Sequence, residues 1–167
     1  MTLVVVSIGL LGLLGLQTLN VANTQISNAR SIATIAADNM AERMRANPAG
    51  LNSNSYADVN NPAAGTAPSD DCASSVCTPA QMASFDAYQW DLGLSRLLPN
   101  GRGRVQCVDA DTGDTDACSP RSPHIISIIW SESDKVADRE GANDKCTAFN
   151  DAGDDVTDRC FQTTFLP

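Results

Sequence analysis

Apolar residues crowd the start of the chain and then thin into a helical beat. Residues 3–16 read LVVVSIGLLGLLGL, and none of the first 29 residues is charged. At about 1.5 Å of rise per residue this stretch covers roughly 21 Å as a helix, and the neutral residues as far as Ala22 extend it to roughly the 30 Å of a bilayer interior. Leu3, Val4, Val5, Val6, Ile8, Leu10, Leu11, Leu13, Leu14 and Leu16 are therefore the expected membrane-packing side chains. Downstream, Ala22, Ile26, Ala29, Ala33, Ala36, Met40 and Met44 recur at steps of four and three, the period of a helix, while Arg30, Asp38, Glu42, Arg43 and Arg45 fall off that stripe. One helix of about 45 residues is the simplest reading. Pro48 cannot continue it, which puts the stop at or just before Asn47. The division expected is an apolar segment over residues 1–22 and a head over residues 23–167 that keeps the amphipathic half of the helix, with Ala29, Ala33, Ala36 and Met40 as the seam beneath the head.

Residues 49–71 hold almost no large apolar side chain and read as a surface loop. Thr78-Pro79-Ala80-Gln81 is a capping box with proline at the first helical position, and it opens a helix expected to run to about Leu98. Ala83, Ala87, Trp90, Leu94 and Leu97 form one stripe of this helix and Met82, Phe85, Tyr88 and Leu92 a second, as expected of a helix sandwiched between the first helix and a sheet. Strand signals follow over residues 103–108, 124–131 and 160–166; in the middle one Ile126, Ile128 and Trp130 alternate with Ile125, Ser127 and Ile129. Strands after helices, joined by loops, give an α+β head with a small antiparallel sheet packed on helix.

The six cysteines, Cys72, Cys77, Cys107, Cys118, Cys146 and Cys160, all follow the apolar segment, the usage of an oxidising compartment. Six cysteines allow 15 pairings, and the spacings favour neighbours in sequence order. Zinc is the rival reading, disfavoured by the absence of a C-x-x-C and by a single histidine, His124.

The net charge is −9, with two lysines and nine scattered arginines. Without a basic cluster to neutralise phosphates, nucleic acid is excluded as a partner. No Ser, His and Asp set or phosphate loop emerges, so an enzyme with a small-molecule substrate or a cofactor is not expected. His124 at a strand start and the two tryptophans, Trp90 and Trp130, read as structural. The stretch DADTGDTD, with Asp109, Asp111, Asp114 and Asp116, is a weak calcium candidate, echoed by DAGDDVTD at residues 151–158. Neither stretch has the glutamate that closes an EF-hand loop, and a solvated turn between cysteines is the simpler reading.

Five segments carry a family resemblance: SIGLLGLLGLQ at residues 7–17, MAERMRANPAG at 40–50, CTPAQMASFDAYQW at 77–90, LLPNGRG at 97–103 and FQTTFLP at 161–167. In that order they resemble the PilV minor pilins of bacterial type IV pili. The helix end with two arginines before Asn-Pro is the most specific of them. Such pilins open with a short basic leader, a glycine cleavage site and a mature start in which an aromatic residue is closely followed by glutamate; the opening residues here, MTLVVV, do not show that pattern.

The resemblance implies a pilin-like fold, anchorage in the inner membrane facing the periplasm, and transfer of the apolar helix into the core of an extracellular fibre. It further implies assembly with other minor pilins and the major pilin into a complex that initiates the pilus, contact with a large tip adhesin, and support of surface motility and adhesion. A pseudopilin of type II secretion, or a membrane-tethered periplasmic module that binds calcium, are the alternative readings.

Overall fold

The computed structural model describes residues 2–60, 67–111, 113, 115, 116, 118–132 and 158–167, with residues 2–16, 18–20, 22 and 158 described by their backbone alone. Helix α1 is unbroken over Thr2–Ala46. The chain divides into two compact units, Met1–Ser31 and Ile32–Pro167. The first is helix throughout from Thr2, its described side chains exposed or half-buried.

The second unit holds the hydrophobic core. Ala33, Ala37, Met40, Ala41 and Met44 of α1 are buried at steps of four and three, as the periodicity requires. Ala33 and Met40 thus lie inside the head, whereas Ala29 and Ala36 are half-buried. At Asn47 the helix gives way to a second, short one, α2 at Pro48–Asn52; Asn47 caps it and Pro48 takes its first turn, where no amide hydrogen is needed. β1 at Asp58–Asn60 follows. The expected surface loop over residues 49–71 therefore contains a helical turn and an edge strand, elements too short to leave a periodic signal.

α3 spans Pro79–Leu97 and begins with the expected capping box: the Thr78 hydroxyl accepts from Gln81 N at 3.3 Å and the Gln81 side chain accepts from Thr78 N at 2.8 Å. β2 at Arg102–Cys107, β3 at His124–Ser131 and β4 at Asp158–Phe165 complete an antiparallel sheet of order β1-β2-β3-β4. The three predicted strands shift by at most two residues. Ile126, Ile128 and Trp130 are buried on one face of β3, with Ser127 and Ile129 buried on the other.

Trp90 fixes α3 against both of its neighbours. Its indole nitrogen donates to the Ala36 carbonyl of α1 at 2.8 Å, and its ring occupies the space that a Cβ on Gly103 of β2 would need. α3 thus lies between α1 and β2 with Ala83, Trp90 and Leu94 of its first stripe buried, while Met82, Phe85, Tyr88 and Leu92 of the second are half-buried and Leu97, at 61% exposure, lies outside the packed face.

Candidate functional site

A buried polar cluster ties the end of α1 to α3. Arg43 lies on the side of α1 that faces Asp86, and the two form an ion pair at 2.9 Å while the Asn39 side chain accepts from the Arg43 Nε at 2.9 Å. Asp86 sits between Ala83 and Trp90 on the buried face of α3 and is itself only 6% exposed. Its second oxygen accepts from the Tyr56 hydroxyl at 2.7 Å. Tyr56, fully buried, accepts in turn from Asn47 Nδ2 at 3.1 Å; that amide also donates to the Pro79 carbonyl at 2.8 Å, and Asn47 Oδ1 accepts from Gly50 N at 3.1 Å.

The chain of donors and acceptors closes around the charged pair, which is what permits it to lie inside. Burial, reinforced by donation to Asp86, pushes the Tyr56 phenol far above its usual range, so the hydroxyl remains a donor at any physiological pH. Gly50 fits because a Cβ there would collide with the Asn47 side chain.

Sequence reasoning found Asn47 as a helix stop and missed its part in this latch, along with Tyr56 and Asp86. A carboxylate in step with Ala83 and Trp90 was the available signal for Asp86, one of two aspartates, with Asp91, that the helix buries. The partners of Asp86 stand 43 and 30 residues away, and spacing does not reveal them.

A second junction is built around cysteines. Cys72 is joined to Cys77, and Cys107 to Cys118, with Cα atoms 5.5 and 5.9 Å apart. Cys160 is disulfide-bonded, and Cys146 lies outside the described residues. The Cys107–Cys118 loop is closed by Asp109, whose Oδ1 accepts from the Ser119 hydroxyl at 2.6 Å, Ser119 N at 3.0 Å and Asp111 N at 3.3 Å. These donors, the Ser119 hydroxyl foremost, hold its carboxyl below the usual range for aspartate.

Of the calcium candidates, then, Asp109 directs one oxygen at the loop's own donors, and Asp111 Oδ1 accepts from Gly113 N at 3.0 Å. Asp116 is exposed, and Asp114 and the echo over residues 151–157 lie outside the described residues. Arg121, next in the turn, has a left-handed backbone with φ 68°, an uncommon conformation for a residue with a Cβ. It borders a groove of about 280 Å³ together with Arg45, Leu51, Cys118, His124 and Phe165. Arg45 lies 5.0 Å from the centre of the Phe165 ring, a cation–π contact.

His124 is 3% exposed, and burial lowers its pKa. The side chains of residues 3–16 lie outside the described residues; among the described ones no helix is long and apolar enough to cross a membrane.

A long N-terminal helix, its second half packed with a further helix on a small antiparallel sheet, is a pilin-like α+β fold. Residues 15–88 match the Tt1218-like family, described as type IV pilin Tt1218. The match runs from within the apolar stretch through the latch to Tyr88, fewer than half of the 167 residues, and it supports a structural role as a type IV pilin, in association with other pilus components. No curated protein and no solved structure matches the chain.

Proposed function

We propose that this chain is a minor pilin of the PilV kind, which joins other minor pilins in a complex that initiates type IV pilus assembly at the tip. The observation that carries this reading is the latch. Two segments that bear the resemblance, MAERMRANPAG and CTPAQMASFDAYQW, supply Arg43, Asn47, Pro79 and Asp86, and the family match covers the first and nearly all of the second.

In this reading the apolar half of α1 rests in the inner membrane before assembly. In the fibre it exchanges lipid for the helices of neighbouring subunits, while the acidic head faces outward. The same apolar surface serves both states, because lipid chains and apolar helices are equivalent surroundings for it. Contacts with the major pilin and with a large tip adhesin complete the proposed assembly.

The test is genetic. Cells lacking this chain should still make the major pilin, yet display at least severalfold fewer surface pili and spread poorly on surfaces. Leu11→Asp should reproduce the loss, because a carboxylate at mid-bilayer costs roughly 3 kcal/mol on insertion scales. Normal piliation in the deletion strain would overturn the reading. A secretion defect with intact pili would point to a type II secretion pseudopilin instead. Ala33→Glu is not a clean probe of subunit contact, since Ala33 is buried in the head core and the change would disturb folding first.

A further inference from the structure

The groove of about 280 Å³ lies where the end of α1 and α2 meet the turn after Cys118, the start of β3 and the end of β4. That volume is just under the roughly 300–1,000 Å³ of small-molecule sites, which is room for a side chain or two. Its lining is largely apolar, with Pro48, Leu51, Phe165 and Pro167 beside the His124 imidazole, whose ring stands edge-on to Phe165 at 6.3 Å between centroids. His124 adds no positive charge: it is buried, and its Nδ1 donates to the Ser122 carbonyl at 3.0 Å, the arrangement of a neutral ring.

The charge of the groove comes from two arginines. Arg45 and Arg121 line it, and among the described residues no aspartate or glutamate does so, in a chain of 20 acidic against 11 basic side chains. Arg45 lies over the Phe165 ring and pairs with Glu42 of its own helix, an exposed ion pair of a kind that contributes little. Arg121 is exposed and has no ion-pair partner among the described residues.

An unfavourable backbone holds Arg121 in place. Ser122 N donates to the Ser119 carbonyl at 3.1 Å, Pro120 takes the second position of the turn, and Arg121, with φ 68°, the third. These are the marks of a type II turn, whose third position favours glycine or asparagine. Asp109 fixes the turn by accepting from the hydroxyl and the amide of Ser119. Glycine would close this turn with less strain, so what arginine adds is its guanidinium at the groove.

We propose that this groove binds an acidic peptide segment of a partner protein, seating one bulky apolar side chain against Phe165 and Leu51 while Arg45 and Arg121 take up neighbouring carboxylates. A guanidinium fork matches a carboxylate geometrically, and a positive rim on an acidic head selects such a segment over a neutral one.

The test titrates the isotope-labelled full chain in detergent with blocked pentapeptides, Asp-Asp-X-Asp-Asp with X as leucine, methionine or phenylalanine, and follows the amide resonances. At least one peptide should shift the signals of Leu51, Arg121 and Phe165 saturably. Changing its aspartates to asparagine, or X to alanine, should each weaken binding at least tenfold, and Arg45→Gln at least threefold. Arg121→Gly should lose at least tenfold in affinity while the thermal unfolding midpoint holds or rises, since glycine adopts this φ freely.

No saturable shift with any of the peptides overturns the proposal, as does undiminished binding in Arg121→Gly. An alanine peptide that binds as well as its parent would reveal a bare anion contact, and tighter binding of an oligogalacturonate than of every peptide would assign the groove to an acidic glycan; either result overturns it too. Should Arg121→Gly unfold more readily than the parent, Arg121→Asn, which also tolerates this backbone, decides by the same loss of affinity.

Discussion

The head holds two junctions together by different means. The latch at Arg43, Asn47, Tyr56 and Asp86 joins segments far apart in sequence through a buried charge and the hydrogen bonds around it. The turn between Cys107 and Cys118 joins near neighbours through a covalent bond, with Asp109 fastening the loop inside it. In the first, the ion pair matters most, because removing either charge leaves the other with too few partners. In the second, the disulfide acts chiefly by restricting the unfolded chain, so the folded turn keeps its Asp109 contacts when the bond is lost. Loss of the staple leaves the folded turn in place, whereas loss of a charge disturbs the latch in the folded state.

Asp86→Ala should break that comparison most sharply. Removing one member of a buried ion pair costs 3–5 kcal/mol in general, and the one-third exposure of the Arg43 side chain places this case at about 3 kcal/mol. Urea unfolding followed by tryptophan fluorescence should show the loss, since Trp90 lies one helical turn away.

Replacing Cys107 and Cys118 together by serine should cost slightly less, about 2.8 kcal/mol for a loop with a sequence separation of 11. Most of that cost should fall on the unfolded state, so the near-ultraviolet circular dichroism of the folded variant should stay close to that of the parent. A latch variant should lose part of that signal even while folded.

Tyr56→Phe is the smallest change, about 1 kcal/mol. It deletes one hydroxyl while Asp86 keeps Arg43 and Asn47 keeps the Pro79 carbonyl. A loss as large as that of Asp86→Ala would show that the hydroxyl, and not the ion pair, closes the latch.

Local signals made much of the fold legible. The helical beat placed the end of α1 within a residue or so of Ala46, Thr78-Pro79 gave the start of α3, and the alternation of Ile126, Ile128 and Trp130 gave β3. These features are governed by neighbours within a turn or a strand. α2 and β1 escaped because their stability comes from what they pack and pair against, β1 on β2 through Val59 and Val105, and not from their own composition.

The latch was hidden for a related reason. Asp86 and Tyr56 become meaningful only when packing brings Arg43 and Asn47 to them, and no periodicity encodes a contact across 30 or 43 residues. The alanine stripe of α1 had the opposite fate: it was plain in the sequence, but whether Ala33 faces the head or another subunit depends on what packs there, and it lies in the head core.

Sheared surface fibres offer the most direct test of the claim that this chain is a subunit of a pilus. Quantitative mass spectrometry of fibres sheared from the wild-type strain should find the chain at a small fraction of the major pilin, and the fibre yield should fall in a strain carrying Asp86→Ala. Recovery of the chain wholly in the cell membrane, with sheared fibres free of it, would contradict the account.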